Sequence, residues 1–483
     1  MEEQNSSKKT VIIAIIIVAV LALLVAAFFM TRGSKTSGTG TTSFGALFGG
    51  SGIDTPRGTG TKIAGSGGGD GEGTETTVSA LGDPLFRQLS AIETAGATAV
   101  EKGGKTYIRY VARANGYIYD VDPKTGASTQ ITSTFIPRVY EAYFALGGNT
   151  VILRYLKHDD LARKDIIKTQ IADLVLPLNT AGNSTDAIGS LSSSQSQLPD
   201  NISSISISPS GTRLFYLLPV SDGVSGTVVN IASKVGVEVF RNSFSEWLAQ
   251  MLDTGNIILT TKASAQVSGY SYLYNAGDKT LSRIVREKNG LTTLATPTGS
   301  RMLYSENLIS GTMLSLYDKK GYTQDEGGGV THTAQLFLPT LPEKCVWSGN
   351  NVRIYCGAFV STPRAQIPDD WYQGALSFSD TFWTVNTDLT VPVSLADPKK
   401  EVNKTFDVFM PFIDKSEDHF YFIDKNTSFL WSMRLEKSKY TTSDELQMTS
   451  STTIPTTLSP EEMRDALGSL PTTTPVKKTI KSK

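Results

Sequence analysis

A short turn followed by a β-rich run recurs seven times along this chain of 483 residues. The turns contain, in order, Gly104, Gly148, Gly211, Gly255, Gly299, Asn351 and Glu417. Neighbouring turns are about 44, 63, 44, 44, 52 and 66 residues apart. A spacing near 44 residues is typical of the four-stranded blades of a β-propeller, and the longer intervals indicate insertions. The repeat therefore predicts an all-β fold, a seven-bladed β-propeller of four-stranded blades.

Each turn joins two strands, most plainly in residues 202–218. Ile205 and Ile207 alternate with serines, Pro209 to Gly211 turn the chain, and Leu214 begins the next alternating run. An aromatic-rich third strand follows in most copies, at residues 116–126, 269–277, 311–318 and 381–388. Such a unit cannot bury both of its faces alone, so the units must stack on one another.

Three of the turn segments resemble the repeats of TolB-like and WD-repeat propellers. They are Ser-Pro-Ser-Gly-Thr-Arg-Leu-Phe-Tyr (208–216), Thr-Pro-Thr-Gly-Ser-Arg-Met-Leu-Tyr (296–304) and Val-Trp-Ser-Gly-Asn-Asn-Val-Arg-Ile-Tyr (346–355). Repeats of those families carry Ser-Pro-Asp-Gly-Lys before an apolar strand. The resemblance covers about Leu85 to Leu435, although the Gly255 copy lacks Ser-Pro and the Glu417 copy lacks glycine. Because the Trp-Asp dipeptide is absent from these repeats, a TolB-like propeller is favoured. The resemblance implies binding of proteins or peptides and no catalytic residues.

Residues 11–30 are unbroken apolar sequence, VIIAIIIVAVLALLVAAFFM. Twenty helical residues span roughly 30 Å, the thickness of a bilayer core. A cleaved signal peptide is the alternative, but its apolar region usually has about 7–15 residues, and no Ala-x-Ala-like site follows Met30. We therefore predict a transmembrane helix at 11–30, through which the protein is attached to the membrane. Lys8 and Lys9 weakly favour residues 1–10 in the cytoplasm and the propeller outside it, as a single-pass protein of the cytoplasmic membrane.

The remaining boundaries follow from composition. Residues 31–81 are rich in Gly, Ser and Thr and predict a flexible, disordered linker, because such a segment buries too little apolar surface to order itself. The propeller is predicted at 82–439. Residues 440–483 form a Thr/Ser/Pro-rich tail with a short helix predicted at 459–470. A net charge of −1 gives no reason to expect a nucleic-acid partner.

Few residues predict catalytic chemistry. His158, His332 and His419 lie in three different repeats without a nearby Cys or His, so we predict no metal site and no cofactor. The three residues of a Ser–His–Asp triad can be far apart in the sequence, so the sequence does not exclude such a triad. However, no Gly-x-Ser-x-Gly segment supports one.

The two cysteines, Cys345 and Cys356, fall within one repeat hairpin. If Asn350 and Asn351 form a two-residue turn, the count places the cysteines directly opposite each other. Opposed residues lie about 4.5–5.5 Å apart at Cα, within reach of a disulfide. We predict this bond, which suits an extracytoplasmic location; two reduced core cysteines are the alternative.

The long insertion between the sixth and seventh turns contains Asp369, Asp370, Trp371, Tyr372 and Gln373. Two carboxylates beside two aromatic residues predict a binding loop for a cationic, sugar or peptide ligand. In the alternative, the aromatic pair packs the insertion onto its own blade and the aspartates cap a turn.

These observations predict a membrane-tethered, extracytoplasmic β-propeller that acts as a binding or scaffold module in the bacterial cell envelope. Its expected partner is a protein, a peptide or a glycan. The alternative from a different class is a propeller-based enzyme, a hydrolase or lyase, with its site at the central channel.

Overall fold

The computed structural model describes residues 83–177, 188–192, 196–323, 330–360 and 365–441. In these residues the chain forms seven separate antiparallel sheets. The sheets follow one another along the sequence. Each sheet is a blade, with strands named A to D from the inside outwards. The seven-bladed propeller with four-stranded blades is confirmed.

The strands of blades 1 to 4 have the following bounds. Blade 1 contains β2 (Thr94–Lys102), β3 (Lys105–Ala112), β4 (Ile118–Val121) and β5 (Ser128–Gln130). Blade 2 contains β6 (Val139–Ala145), β7 (Thr150–Asp159), β8 (Lys164–Val175), β10 (Ser196–Gln197) and the short β9 (Ser190–Leu191), which also pairs with β8. Blade 3 contains β11 (Ser204–Ile207), β12 (Arg213–Val220), β13 (Gly223–Asn230) and β14 (Val235–Asn242). Blade 4 contains β15 (Trp247–Met251), β16 (Ile257–Thr261), β17 (Ser268–Asn275) and β18 (Thr280–Asn289).

The other three blades complete the ring. Blade 5 contains β19 (Thr293–Ala295), β20 (Arg301–Leu308), β21 (Gly311–Thr323) and β22 (Val330–Gln335). Blade 6 contains β23 (Cys345–Trp347), β24 (Arg353–Phe359), β25 (Asp380–Asn386) and β26 (Pro392–Ala396). Blade 7 contains β27 (Val408–Ile413), β28 (His419–Asp424), β29 (Leu430–Arg434) and β1 (Phe86–Gln88). The helices are α1 (Asp369–Tyr372) and α2 (Pro398–Glu401), with 3₁₀ turns at Leu146–Gly148 and Pro342–Lys344.

All seven predicted turns lie between strands A and B of their blades, and in each the residue named above is in the left-handed region. Their φ values are 74° at Gly104, 87° at Gly148, 69° at Gly211, 90° at Gly255, 72° at Gly299, 59° at Asn351 and 52° at Glu417. Glycine adopts this conformation without steric cost, which explains why it recurs. Glu417 has another role, because its Oε1 accepts from Gly349 N at 2.8 Å and its Oε2 from Tyr355 Oη at 2.9 Å. That side chain ties the turn of blade 7 to blade 6.

The ring is closed by the N-terminal strand β1, which pairs antiparallel with β29 from Phe86–Met433 to Gln88–Trp431. Because strands alternate in direction, the A–B and C–D turns share one end of the propeller, here called the A–B end. The B–C and D–A loops share the other, called the B–C end. The described chain therefore begins at Asp83 and stops at Thr441 on the same A–B end.

The core lies between neighbouring blades rather than at a single centre. Between blades 6 and 7, for example, Phe382, Phe406 and Phe422 are buried together, with ring centroids of Phe406 and Phe422 5.2 Å apart. Each such side chain contributes about 1.5–3 kcal/mol of hydrophobic stabilisation when fully buried. Stacking the blades thus supplies the burial that one repeat cannot obtain alone.

Several predicted segments lie outside the described residues: the N-terminus 1–10, the span 11–30, the linker 31–81, and the tail from 442 with its helix at 459–470. Within the part of the chain that the structure describes, no helix has the length and apolar character needed to cross a bilayer.

The predicted disulfide is confirmed. Cys345 on β23 is the register partner of Cys356 on β24, and their sulfur atoms are bonded. The turn is closed by Asn351 N donating to Ser348 O at 3.0 Å. Its centre therefore lies one residue before the predicted Asn350–Asn351 pair, while the cysteine register is as predicted.

Replacing both cysteines with serine should lower the free energy of unfolding by about 3 kcal/mol. The bond closes a loop with a sequence separation of 11 residues, for which chain-entropy reasoning gives a loss of this size. Urea denaturation of the oxidised protein and of the double variant measures it. Reductant should shift the unfolding midpoint of the natural protein but not of the variant. Equal midpoints in the two oxidised proteins would contradict the prediction.

Candidate functional site

The insertion of blade 6 lies at the B–C end and is folded inwards. Its helix α1 presents Trp371 to a cluster formed by Leu341, Phe359, Ile367 and Phe378, where the indole is only 1% exposed. The indole is therefore packed inside the protein, as in the alternative in which the aromatic pair packs the insertion onto its own blade. An aromatic side chain in a loop buries itself wherever neighbouring blades offer an apolar pocket and a hydrogen-bond acceptor for the indole N–H.

The contacts of Tyr372 and the two aspartates also hold the insertion against the propeller. Tyr372 is half-buried, and its hydroxyl donates to Glu343 in the D–A loop that precedes blade 6. Asp370 Oδ2 accepts from Gln366 N at 2.8 Å and thereby caps the turn before α1, while Gln373 is exposed. Four of the five residues proposed as a binding loop thus make internal contacts, counting Asp369 below. Ligand contact by these residues stays a prediction.

A buried charged cluster lies beneath Trp371. Lys344 Nζ is 2.7 Å from Asp380 Oδ2 and 2.5 Å from Asp407 Oδ1, and all three side chains are inaccessible to solvent. Trp371 Nε1 is 3.0 Å from each oxygen of Asp407, and Lys344 Nζ lies 5.0 Å from the centroid of the indole ring. The cluster therefore joins the insertion to blades 6 and 7 through one buried cation.

Burial and the neighbouring charges shift the pKa values of this cluster in opposite directions. Burial by itself lowers the pKa of Lys344, but the two carboxylates raise that pKa above its ordinary value. Burial raises the pKa of Asp380 to about 6, despite the ammonium group beside it. Sequence reasoning missed all three residues because they lie far apart in the chain, Lys344 and Asp407 in connections and Asp380 at the start of β25, and none belongs to a recognisable motif.

The insertion also binds the loops of blades further round the ring. Asp369 Oδ2 accepts from Ala265 N at 2.6 Å in the B–C loop of blade 4. Asn307 Nδ2 of blade 5 donates to Ile367 O at 2.6 Å. Lys425 Nζ of blade 7 donates to Trp371 O at 2.8 Å. The insertion is thus a brace that connects the B–C ends of blades 4 to 7.

The B–C end also carries most of the exposed large apolar side chains of the described residues. Ten lie in or next to its loops: Ile92, Phe135, Leu161, Phe244, Val267, Leu308, Ile309, Phe337, Val360 and Val402. Four lie at C–D connections on the opposite end: Val175, Leu176, Ile188 and Val391. The other three, Val235, Val237 and Leu281, lie on the outer strands β14 and β18. Single exposed apolar residues are ordinary, but a concentration of them at one end of a protein is typical of an interaction surface.

The part of this surface on blades 4 to 6, called the apolar rim, comprises Val267, Leu308, Ile309, Phe337 and Val360. Ile309 is fully exposed, and Val267, Phe337 and Val360 are each about two thirds exposed or more. A cavity of about 430 Å³ opens between the B–C loops of blades 4 and 5 and the brace. Among the described residues, no charged side chain lines it. Sequence reasoning missed the rim, whose only local signal is an aliphatic residue within a turn, as in Leu308-Ile309-Ser310-Gly311.

The histidines make ordinary polar contacts. His158 Nδ1 is 3.1 Å from Asp165 Oδ1 on an exposed hairpin, and His419 Nε2 is 2.8 Å from Asp83 Oδ2. The side chain of His332 lies outside those described. Across residues 83–441, apart from the gaps given above, no cluster of three or more His, Cys, Asp or Glu side chains has the arrangement of a metal site.

These features define the class of protein as a seven-bladed, four-stranded β-propeller closed by its N-terminal strand, with a braced and partly apolar loop surface. No known family model and no curated protein matches the chain. Similar solved structures include TolB from Acinetobacter baumannii, with 10% identity, a TM-score of 0.36 and coverage of 70% of this chain and 63% of TolB. The chain thus spans less than two thirds of that TolB structure.

Two further solved structures are similar at the same level of identity. An oligogalacturonate lyase from Vibrio parahaemolyticus is 10% identical, with a TM-score of 0.45 and coverage of 73% of this chain and 94% of the lyase. A β-propeller domain from Myceliophteria thermophila is 10% identical, with a TM-score of 0.44 and coverage of 72% and 98% respectively.

Proposed function

We propose that this protein is a membrane-tethered, extracytoplasmic binding module of the bacterial cell envelope that captures a protein partner on its apolar rim. The observation that carries the proposal is the concentration of exposed apolar side chains at the B–C end. The tether and the compartment rest on the apolar run 11–30, the lysines before it and the disulfide.

The rim has the properties of a protein-binding surface. Apolar area removed from water contributes roughly 25 cal/mol per Å², so covering Ile309, Val360 and Phe337 favours association. The brace holds the loops of blades 4 and 5 in place through Asp369 and Ile367. Loops that are ordered before binding lose less conformational freedom when the partner arrives, which increases affinity.

The enzyme alternative places a hydrolase or lyase site at the central channel. No specific observation in the described residues favours it, since the hydrogen bonds of His158 and His419 go to single aspartates. We therefore propose binding alone.

Replacing Ile309 and Val360 with Asp should weaken partner binding at least about tenfold, because two charges would be desolvated at the centre of the contact. The full-length protein is first used to capture partners from the envelope fraction, and the purified partner is then titrated. Both residues are exposed, so the melting temperature should not change.

The matched control replaces Val175 and Val391 with Asp, two exposed valines at the opposite end of the propeller. It introduces the same charge and should bind like the natural protein. If the control and the rim variant bind the purified partner equally well, the rim is not the binding surface.

A further inference from the structure

The cavity of about 430 Å³ beside the brace has walls from three parts of the chain. They are the B–C loop of blade 4, which contains Gln266, the two-residue B–C turn of blade 5, which contains Ile309, and the brace, which contains Gln366. A volume of about 300–1,000 Å³ is usual for a ligand site. We call this cavity the rim cavity, because Leu308 and Ile309 of the apolar rim belong to its lining.

Hydrogen bonds between the walls hold the rim cavity in shape. Asn307 of blade 5 donates from Nδ2 to Ile367 O of the brace at 2.6 Å, and its Oδ1 accepts from Thr312 Oγ1 at 2.7 Å. Asp369 Oδ2 of the brace accepts from Ala265 N of blade 4 at 2.6 Å. The cavity is therefore present before a ligand arrives, and binding requires little ordering of its loops.

Two side-chain amides on different walls lack partners. Gln266 and Gln366 are exposed, and neither side-chain amide has a hydrogen-bond partner in the described part of the chain. Each amide supplies both donors and an acceptor. A peptide main chain also has one donor and one acceptor for each residue other than proline. The two amides therefore match the hydrogen-bonding groups of an extended peptide.

The rest of the lining narrows the class of ligand. Leu308 and Ile309 are exposed aliphatic residues that an apolar group of the ligand would cover. A pure hydrocarbon chain would remove the two amides from water without replacing their hydrogen bonds, which is unfavourable. Among the described residues, no aromatic side chain lines the cavity, so a sugar ring would have no flat apolar face to stack on. A peptide with one apolar side chain satisfies both parts of the lining.

Two carboxylates lie beside the cavity. Asp370 Oδ2 accepts from Gln366 N at 2.8 Å, and Asp369 accepts from Ala265 N. Because backbone N–H groups carry no net charge, both carboxylates keep theirs, and neither has an ion-pair partner among the described side chains. The other described charges nearby are balanced: Lys262 by Glu246, Lys288 by Glu306, and Lys344 and Lys425 by Asp380 and Asp407. The described residues thus place negative charge beside the cavity, which disfavours an acidic ligand.

We propose that the rim cavity binds an extended, non-acidic peptide segment of the protein partner. One apolar side chain of the segment packs against Leu308 and Ile309, and its main chain forms hydrogen bonds with the amides of Gln266 and Gln366. The proposal rests on the proposed function, since it names the part of the partner that the rim contacts. In such a site the main-chain hydrogen bonds supply affinity, and the apolar side chain supplies specificity.

A library of displayed random peptides of about twelve residues, selected on the full-length protein, supplies the probe. Selected peptides should share one aliphatic or aromatic residue and contain few Asp or Glu residues. They are then synthesised with acetyl and amide ends and titrated. Ile309→Asp with Val360→Asp should weaken their binding at least about tenfold. Failure to select any peptide, or selection of mainly acidic ones, would overturn the proposal.

Methylation of the peptide tests recognition of the main chain directly. N-methylation next to the apolar residue removes a donor and keeps every side chain, and it should weaken binding at least about tenfold. Gln266→Ala and Gln366→Ala should each weaken binding about fivefold, the usual effect of losing one hydrogen bond. Both residues are exposed, so the melting temperature should not change. If methylated and unmethylated peptides bind equally well, the main chain is not recognised and the proposal is wrong.

The matched control is Gln197→Ala, an exposed glutamine on β10 of blade 2, which should bind the peptides like the natural protein. Equal losses in this control and in the cavity variants would contradict the proposal. If the envelope partner requires Ile309 and Val360 but the peptides bind without Gln266 and Gln366, the proposed function stands and the peptide site fails. If the peptides require both glutamines but the envelope partner does not require the rim, the peptide site stands and the proposed function fails.

Discussion

Lys344→Met should lower the free energy of unfolding by about 3–5 kcal/mol, because it leaves Asp380 and Asp407 buried without their cation. The loss should be larger at pH 8 than at pH 5. The pKa of Asp380 is already raised to about 6, so at the lower pH a proton neutralises the carboxylate that has lost its partner. Urea denaturation at the two pH values measures both effects.

Two control variants test whether the loss of stability comes from the buried charged cluster. Lys399→Met removes an exposed lysine on α2 and should change stability by less than about 0.5 kcal/mol. Asp380→Asn should cost less than Lys344→Met, since Lys344 keeps Asp407 as its counter-ion. A Lys344→Met protein as stable as the natural one would show that the cluster does not anchor the insertion.

Trp371→Ala should also lower the free energy of unfolding by about 3–5 kcal/mol, the usual cost of removing a large buried aromatic side chain. The indole is 1% exposed and donates to Asp407 at 3.0 Å, so the variant leaves both a cavity and an unpaired acceptor. Thermal and urea denaturation of the full-length protein measure the loss.

Tyr372→Phe is the matched control for this prediction. It keeps the ring and removes only the hydroxyl that donates to Glu343, which should cost about 1–3 kcal/mol. If Trp371→Ala melts like the natural protein but loses its partner, the indole contacts the ligand, as the sequence first suggested. If Trp371→Ala is unstable but its folded fraction binds the partner normally, the indole has the structural role of holding the brace in place.

The sequence predicted the blades well because the signals for them are local. Each A–B turn needs at least one residue with positive φ, and Gly211 or Gly255 meets that need without help from the rest of the chain. The register of Cys345 and Cys356 also follows by counting outwards from one turn. Glu417 is the exception, because its contacts come from blade 6.

The packing of the insertion could not be predicted, for the opposite reason. Asp369 to Gln373 were predicted to form a binding loop, but their sequence does not reveal which way the side chains face. Trp371 is buried because Lys344 and Asp407, from connections 27 and 36 residues away, form a pocket for it. Ile309 is exposed because its turn lies at the surface with nothing packed above it in the described residues.

The sequence by itself determined the number of blades, their four-stranded form and the cysteine pairing, since these depend on turn conformation and on alternation along single strands. The tertiary structure alone decided that the aromatic insertion is a brace and that the loops beside it form the exposed apolar surface. That decision depends on contacts among blades 4, 5, 6 and 7. The alternation of residues along a strand indicates which face of its own sheet a side chain lies on, but it does not indicate which blade packs against that face.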